Sequence, residues 1–243
     1  AAPEPRPPVD APGAPAAPRS AADRGVLLHA LLEGLDFRRP AVPTADAIVA
    51  AAAAAGLAPP PGPAEADELA ALVRRFIDSP LCERLGQATD ARREERFSFP
   101  APGGIPVVGA IDVLAREAGG RVLIVDYKSD RLGAAAPTAI VASAYAVQRL
   151  IYALAALRAG APAVEVAYCF LEVPDQPVLA GFDRDAMRGL EDELATLTRG
   201  VLAREFAVTP SPYVGVCAGC PAEGGLCSWP RELTRRESPD TLF

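Results

Sequence analysis

Apolar and polar positions along the chain change period twice. Over residues 23–35, 45–56 and 64–78 apolar side chains recur at helical spacing, most clearly in "AEADELAALVRRFID", and Gly34, Gly56 and Ser79-Pro80 supply the stops. Asp23 is the expected N-cap of the first helix. The period then shortens. "ERFSFP" at 95–100 alternates, and 105–115 and 121–127 are rich in Val, Ile and Leu, which predicts a three-stranded meander with a hairpin turn at Gly119-Gly120. A long apolar helix is expected over 137–159, up to Gly160, then a strand at 163–172, another near 177–182 and a helix over 183–203. That order predicts an α/β fold, a mixed central sheet flanked by helices with a helical N-terminal third.

Composition sets the boundaries. Half of the 243 residues are apolar, enough for a substantial core. The lead "AAPEPRPPVDAPGAPAAPRS" has almost nothing to bury, so residues 1–22 are expected to be a linker or tail, 23–230 a domain and 231–243 a second tail. The lead, together with an initial Ala, suggests a piece of a longer polypeptide. No apolar run reaches the roughly 18 residues of a membrane span, and no basic segment precedes a hydrophobic one at the N-terminus, so a cytoplasmic protein without a membrane partner is expected. The net charge of −7 argues against holding nucleic acid by bulk electrostatics. It leaves room for an enzyme whose own carboxylates hold metal ions.

Of the 24 basic residues 23 are arginine, and the one lysine, Lys128, ends the third predicted strand in "VLIVDYKSDR". Residues two apart on a strand share a face, so Asp126 and Lys128 point together, and a hairpin can bring Asp112 of the preceding strand beside them. Two carboxylates suit Mg²⁺ or Mn²⁺, which polarises a phosphoryl oxygen and lowers the pKa of a bound water. Lysine fits beside them as a compact point charge, for positioning and charge stabilisation rather than general-base chemistry. A bare D-x-K on a strand is more often a surface ion pair.

More than that pair is present. "GAIDVL" and "VLIVDYKSDR" resemble the active-site strands of the PD-(D/E)XK nuclease superfamily, in particular the RecB-like nuclease domain of UvrD-family helicase-nucleases of the AddA/RecB type. The upstream Gly-x-x-x-His element of that family is matched by "GVLLH", Gly25 to His29, and its Gln and Tyr one turn apart by "YAVQRLIY", Gln148 and Tyr152. The resemblance covers about residues 23–230, in the family's order. It implies a restriction-endonuclease-like core and an Mg²⁺- or Mn²⁺-dependent, exonuclease-type deoxyribonuclease in a bacterial cytoplasm. His29, Asp112, Asp126 and the backbone carbonyl of Tyr127 would ligate the metal, Lys128 would be the catalytic lysine, and Gln148 and Tyr152 would support the site or contact the DNA backbone. The substrate would be single-stranded DNA delivered by a helicase, in cis or as a partner subunit, during double-strand break repair. The other reading is a catalytically silent module that grips DNA or docks a helicase. A family glutamate preceding the first core strand could be Glu94, by spacing to Phe97, or Glu95, by strand alternation.

The tail "VCAGCPAEGGLC" places Cys217, Cys220 and Cys227 in a C-x2-C-x6-C pattern. Some members of the resembled family hold a [4Fe-4S] cluster with three such cysteines and one upstream. Here the upstream position has no cysteine, and Cys82 lies beyond the His29 helix, so a cluster, zinc or no metal remain as alternatives. Cys169, in an apolar strand, is expected to be a core thiol.

Overall fold

The computed structural model describes residues 19–205, 208–222 and 225–238. Most of the expected linker, up to residue 18, and residues 239–243 of the expected tail lie outside the described residues. The chain divides into two compact units, Ala1–Leu194 and Ala195–Phe243.

The first unit opens with four helices, α1 (Ala21–Glu33), α2 (Ala45–Ala54), α3 (Pro63–Ile77) and α4 (Pro80–Gly86). The N-cap of α1 is Ser20, not Asp23: the Ser20 hydroxyl accepts from the Asp23 N–H, and Asp23 sits in the first turn, where its charge complements the helix dipole. Ser79-Pro80 ends α3 as expected and also starts α4, since Pro80 lacks only an N–H that a first turn leaves unpaired and Ser79 Oγ accepts from Cys82 N–H.

A sheet follows, with strands β1 (Asp90–Pro100), β2 (Pro106–Arg116), β3 (Val122–Lys128), β4 (Ala163–Phe170) and β5 (Val178–Asp183) lying side by side in that order. All neighbours are antiparallel except β3 and β4. A parallel pair needs a crossover, supplied by α5 (Pro137–Ala144) and α6 (Ala146–Arg158). One core packs α1–α4 on the face of the sheet carrying Val113, Leu123, Val125 and Tyr127. A second core packs α5, α6 and Leu190 and Leu194 of α7 (Met187–Leu202) on the face carrying Ile111, Ile124, Val166 and Tyr168. The mixed sheet is thus flanked by helices on both faces, and β3, central and buried through Tyr127, carries the Asp-x-Lys pair at its C-terminal end.

The expected continuous helix over 137–159 is broken. Its two parts meet at Tyr145, with a bend of 77°. Two local effects account for the break. The Ser143 hydroxyl turns back onto the carbonyls of Ala139 and Ile140, loosening the last turn of α5, and Tyr145 stacks on Tyr168 with ring centroids 5.6 Å apart. Apolar periodicity runs through both halves and does not register the break.

In the second unit, α8 (Val214–Cys217) and α9 (Arg231–Thr234) are single turns. Trp229 Nε1 donates to the Thr209 carbonyl at 2.8 Å, and the Val214 N–H to the Arg236 carbonyl at 2.9 Å.

Phe76 is fully buried and meets Tyr127 edge-on at 5.0 Å, tying α3 to the strand that carries the site. Phe76→Ala is expected to lower unfolding free energy by roughly 3 to 5 kcal/mol in urea titration, the usual cost of emptying a packed aromatic position. A loss under about 1 kcal/mol would mean that this core does not set the position of β3.

Candidate metal centre

The site begins where the strand pattern fails. Ala91 and Arg93 face the α1–α4 layer, with the Arg93 guanidinium 4.4 Å over the Phe37 ring, while Phe97 and Phe99 of the same strand pack toward α6. On β2, Ile111 belongs to the α6-side core and Val113 and Ala115 to the other. Strict alternation would put all of these odd-numbered residues of one strand on one face. Both strands therefore switch faces at one row, Glu94 opposite Asp112, and that row is missing from an otherwise continuous ladder between Arg93↔Val113 and Glu95↔Ile111. Glu94 absorbs the switch with φ +48°, a left-handed conformation that a residue with a side chain adopts at a cost.

The neighbouring ladder opens at the same place. β2 and β3 pair from Arg116↔Val122 to Val113↔Val125 and no further, so beyond Val125 the edge of β3 facing β2 has no strand partner. Asp112 Oδ2 takes over that role, accepting from the Tyr127 N–H at 2.8 Å. It also lies 3.5 Å from His29 Nδ1. The ligand atoms of His29, Glu94 and Asp112 fall within 4.8 Å of one another, the one such trio among the described residues. One imidazole and two carboxylates in a partly open cleft are a donor set that fits Mg²⁺ or Mn²⁺.

The α1 helix passes close to the segment after β3: a Cβ on Gly25 would stand 3.1 Å from Ser129 Oγ. Arg24 of the same turn donates to the Ser129 carbonyl at 2.8 Å, pinning the segment that follows Lys128. Gly25 of "GVLLH" thus lies at this close approach, and His29 follows one turn further on, beside Asp112.

Asp126 and Lys128 point toward α6, on one side as their spacing requires. Lys128 Nζ lies 2.6 Å from Asp126 Oδ2, which accepts no hydrogen bond and is held by charge alone. Asp126 Oδ1 accepts from Gln148 Nε2 at 2.9 Å and from the Tyr152 hydroxyl at 3.2 Å, and Gln148 Oε1 accepts from Lys128 Nζ at 3.2 Å. Gln148 and Tyr152 are also joined directly at 3.0 Å, as neighbours one helical turn apart can be. Burial and then the Asp126 charge push the Tyr152 phenol well above its usual range, so it remains a donor. Asp126 lies outside the trio of ligand atoms; an oxygen with no hydrogen bond, buried beside the trio's Asp112, is free to face a cation only if Lys128 yields to it.

Of the two glutamates left open by sequence, Glu94 joins His29 and Asp112, whereas Glu95 pairs with Arg92 at 3.0 Å. Alternation pointed to Glu95 because the face switch is not written in apolar periodicity. Sequence reading also passed over Arg24 and Tyr145. The ring of Tyr145 lies 3.7 Å from Lys128 Nζ, and its position three residues before Gln148 was the available signal.

The cysteine tail does not assemble a centre. Among the described residues Cys217, Cys220 and Cys227 form no trio of ligand atoms, Cys217 being buried and Cys220 exposed. Cys82 is enclosed by the helical-layer core, where burial pushes its thiol up to about 11, away from the thiolate a cluster requires. A [4Fe-4S] cluster is therefore unsupported. Cys169 is fully buried in β4, as an apolar core thiol.

The sequence pattern of the PD-(D/E)XK nuclease superfamily matches residues 9–225. No curated protein matches the chain. Among solved structures, a protein of Eubacterium rectale named "Putative exonuclease" is 9% identical with a TM-score of 0.48, the match covering 84% of this chain and 81% of that one. A protein named SSO0001 is 15% identical with a TM-score of 0.27, the match covering 55% of this chain and 61% of that one.

Desolvation, and then the nearby Asp126 charge, push the Asp112 carboxyl up to about 6 from 3.8. The sign follows directly. A raised carboxyl leaves folding unpenalised below the unfolded pKa near 4, and stability falls as pH rises through about 6, by on the order of 2 to 3 kcal/mol once complete. Asp112→Asn keeps an acceptor for the Tyr127 N–H and removes the charge. In chelator at pH 7.5 it is expected to unfold at higher urea than the parent, the gain disappearing at pH 4. A lower midpoint at pH 7.5 would show that Asp112 is not held against its ionisation.

Proposed function

The chain belongs to the PD-(D/E)XK nuclease superfamily, and from that premise we propose that it is a metal-dependent deoxyribonuclease hydrolysing phosphodiester bonds. The observation that carries the proposal is the gathering of His29, Glu94 and Asp112 at the fork of the sheet, one strand from the Asp126–Lys128 pair. His29, Glu94 and Asp112 would hold the divalent cation, with Asp126 and the Tyr127 carbonyl completing its surroundings. A cation bound there supplies positive charge against a phosphoryl oxygen and acidifies water.

The chain's own residues would do the rest. Lys128 donates to a non-bridging phosphoryl oxygen or to the attacking water, replacing its contact with Asp126, and so places a fixed charge where negative charge develops. An ammonium suits this better than a planar guanidinium fork, because a compact charge can turn from Asp126 to substrate while keeping Gln148 and the Tyr145 ring as neighbours. Gln148 and Tyr152 keep Asp126 in one orientation when the lysine turns to substrate. Asp112 stays bound to the Tyr127 N–H, so the site keeps its shape through the reaction.

The finer reading is a RecB-like nuclease domain spanning 23–230, carried on a helicase-nuclease through its Pro/Ala-rich lead. It would cut single-stranded DNA fed to it during break processing in a bacterial cytoplasm. The acidic balance of −7 supports a division of labour in which another domain or subunit supplies most of the grip on DNA.

Asp126→Ala and Lys128→Ala are expected to reduce Mg²⁺-dependent cleavage of single-stranded DNA by at least about a hundredfold with the fold retained by circular dichroism, and Lys128→Arg to be nearly as inactive. Cleavage by Lys128→Ala at the parent rate would rule the mechanism out. Because each arginine–phosphate contact releases counterions, and 31 acidic residues outnumber the 24 basic ones so that affinity has little reserve, cleavage by the chain alone is expected to fall between 50 and 200 mM salt, on the order of tenfold for two such contacts. Cleavage independent of salt would mean that this chain grips its own substrate without electrostatics.

A further inference from the structure

The break between α5 and α6 has a second consequence. A continuous helix would carry Tyr145 along the helix surface; the 77° turn instead delivers it over the end of β3, where its ring centroid lies 3.7 Å from Lys128 Nζ. Every remaining part of Tyr145 is fixed. Its ring stacks on Tyr168 at 5.6 Å and 18°, its hydroxyl donates to Asp130 Oδ2 at 3.0 Å, and its carbonyl accepts from the Arg149 N–H of α6 at 2.9 Å and from the Tyr168 hydroxyl at 3.3 Å. Tyr168 is fully buried and itself 5.5 Å from the same ammonium. Lys128 thus stands among one carboxylate, Asp126, the amide oxygen of Gln148 and two aromatic rings.

We infer that Tyr145 is a positioning residue for Lys128: its ring face holds the ammonium by a cation–π contact while the lysine turns from Asp126 toward substrate, and the helix break exists in this fold to put the ring there. A carboxylate alone would not serve, because leaving it would cost the lysine its only strong partner. A ring face attracts the cation without consuming any of its three N–H donors, which stay available for a phosphoryl oxygen. Tyr168 flanks the ring, within 5.5 Å of the same ammonium, and Asp130 holds its hydroxyl. The catalytic half of this inference rests on the nuclease reading; the geometric half does not.

The chain helps the test, since Lys128 is its only lysine. Lysine labelled with ¹³C and ¹⁵N gives one side-chain Cε–Hε signal, which a ring 3.7 Å away shifts upfield in the parent. Tyr145→Phe keeps the ring and is expected to keep both that shift and kcat within about twofold. Tyr145→Leu is expected to return the signal to its random-coil position and to lower kcat for single-stranded DNA by about tenfold with KM unchanged. Tyr145→Met, which fills the volume without a π face, should behave as Leu does and covers the case in which Leu disturbs folding. An unshifted Lys128 signal in the parent, or a shift that survives in both Leu and Met, overturns the inference, as does an unchanged kcat once the shift is lost. Absence of cleavage by the parent would instead sink the nuclease reading, and the signal would still decide whether the ring holds the lysine.

Discussion

One hydrogen bond sets the geometry on which the site depends, the 2.8 Å contact from the Tyr127 N–H to Asp112 Oδ2. Two antiparallel strands that separate inside a protein leave backbone donors unpaired, and a buried unpaired N–H costs on the order of 1 to 3 kcal/mol. A side-chain carboxylate filling the gap lets β2 and β3 part after Val113↔Val125 without that loss. The same carboxylate is thereby fixed at the mouth of the fork. His29 from α1 and Glu94 from β1 converge on it, with Arg24 tying α1 to the Ser129 carbonyl and Glu94 accepting a left-handed backbone.

Electrostatics then make the cluster expectant of positive charge. Three carboxylates lie around one cleft, Asp112 raised toward neutrality by burial and by Asp126, with Glu94 adding to the same effect. Fold stability is spent to hold them there, as is common where groups are arranged for chemistry rather than for packing. Lys128 supplies one positive charge on the α6 side, and a divalent cation on the α1 side would relieve the rest. The buried polar groups near it are linked into one network through Gln148 and Tyr152, so displacing any member alters the orientation of Asp126.

Much of this was legible in the sequence, for definable reasons. Apolar period located β2 to β5, the second half of β1 and the long helices, because burial on one face writes itself into the spacing; the charged first half of β1, Asp90 to Glu94, has no such pattern. The i to i+2 rule paired Asp126 with Lys128, and the i to i+4 rule paired Gln148 with Tyr152, since both are properties of a regular backbone. What escaped was irregular. The face switch at Glu94 and Asp112, the break at Tyr145 and the start of α4 at Pro80 all depart from period, and each depends on contacts between residues far apart in the chain. The tail cysteines failed for the opposite reason: a spacing can be written in sequence while the thiols never gather. Two of the irregular places border the candidate site. Glu94 and Tyr145 each sit where a strand or helix abandons its repeat, and each turns a side chain toward the site.

The central claim is that the fork between β2 and β3 is a divalent-metal site. The most direct measurement is the anomalous scattering of a crystal soaked in Mn²⁺, with data collected near the manganese edge. A peak is expected within coordination distance of His29, Glu94 and Asp112, and it should vanish in an Asp112→Asn crystal soaked alike. No peak at the fork at millimolar Mn²⁺, with the three side chains ordered, would contradict a metal site there.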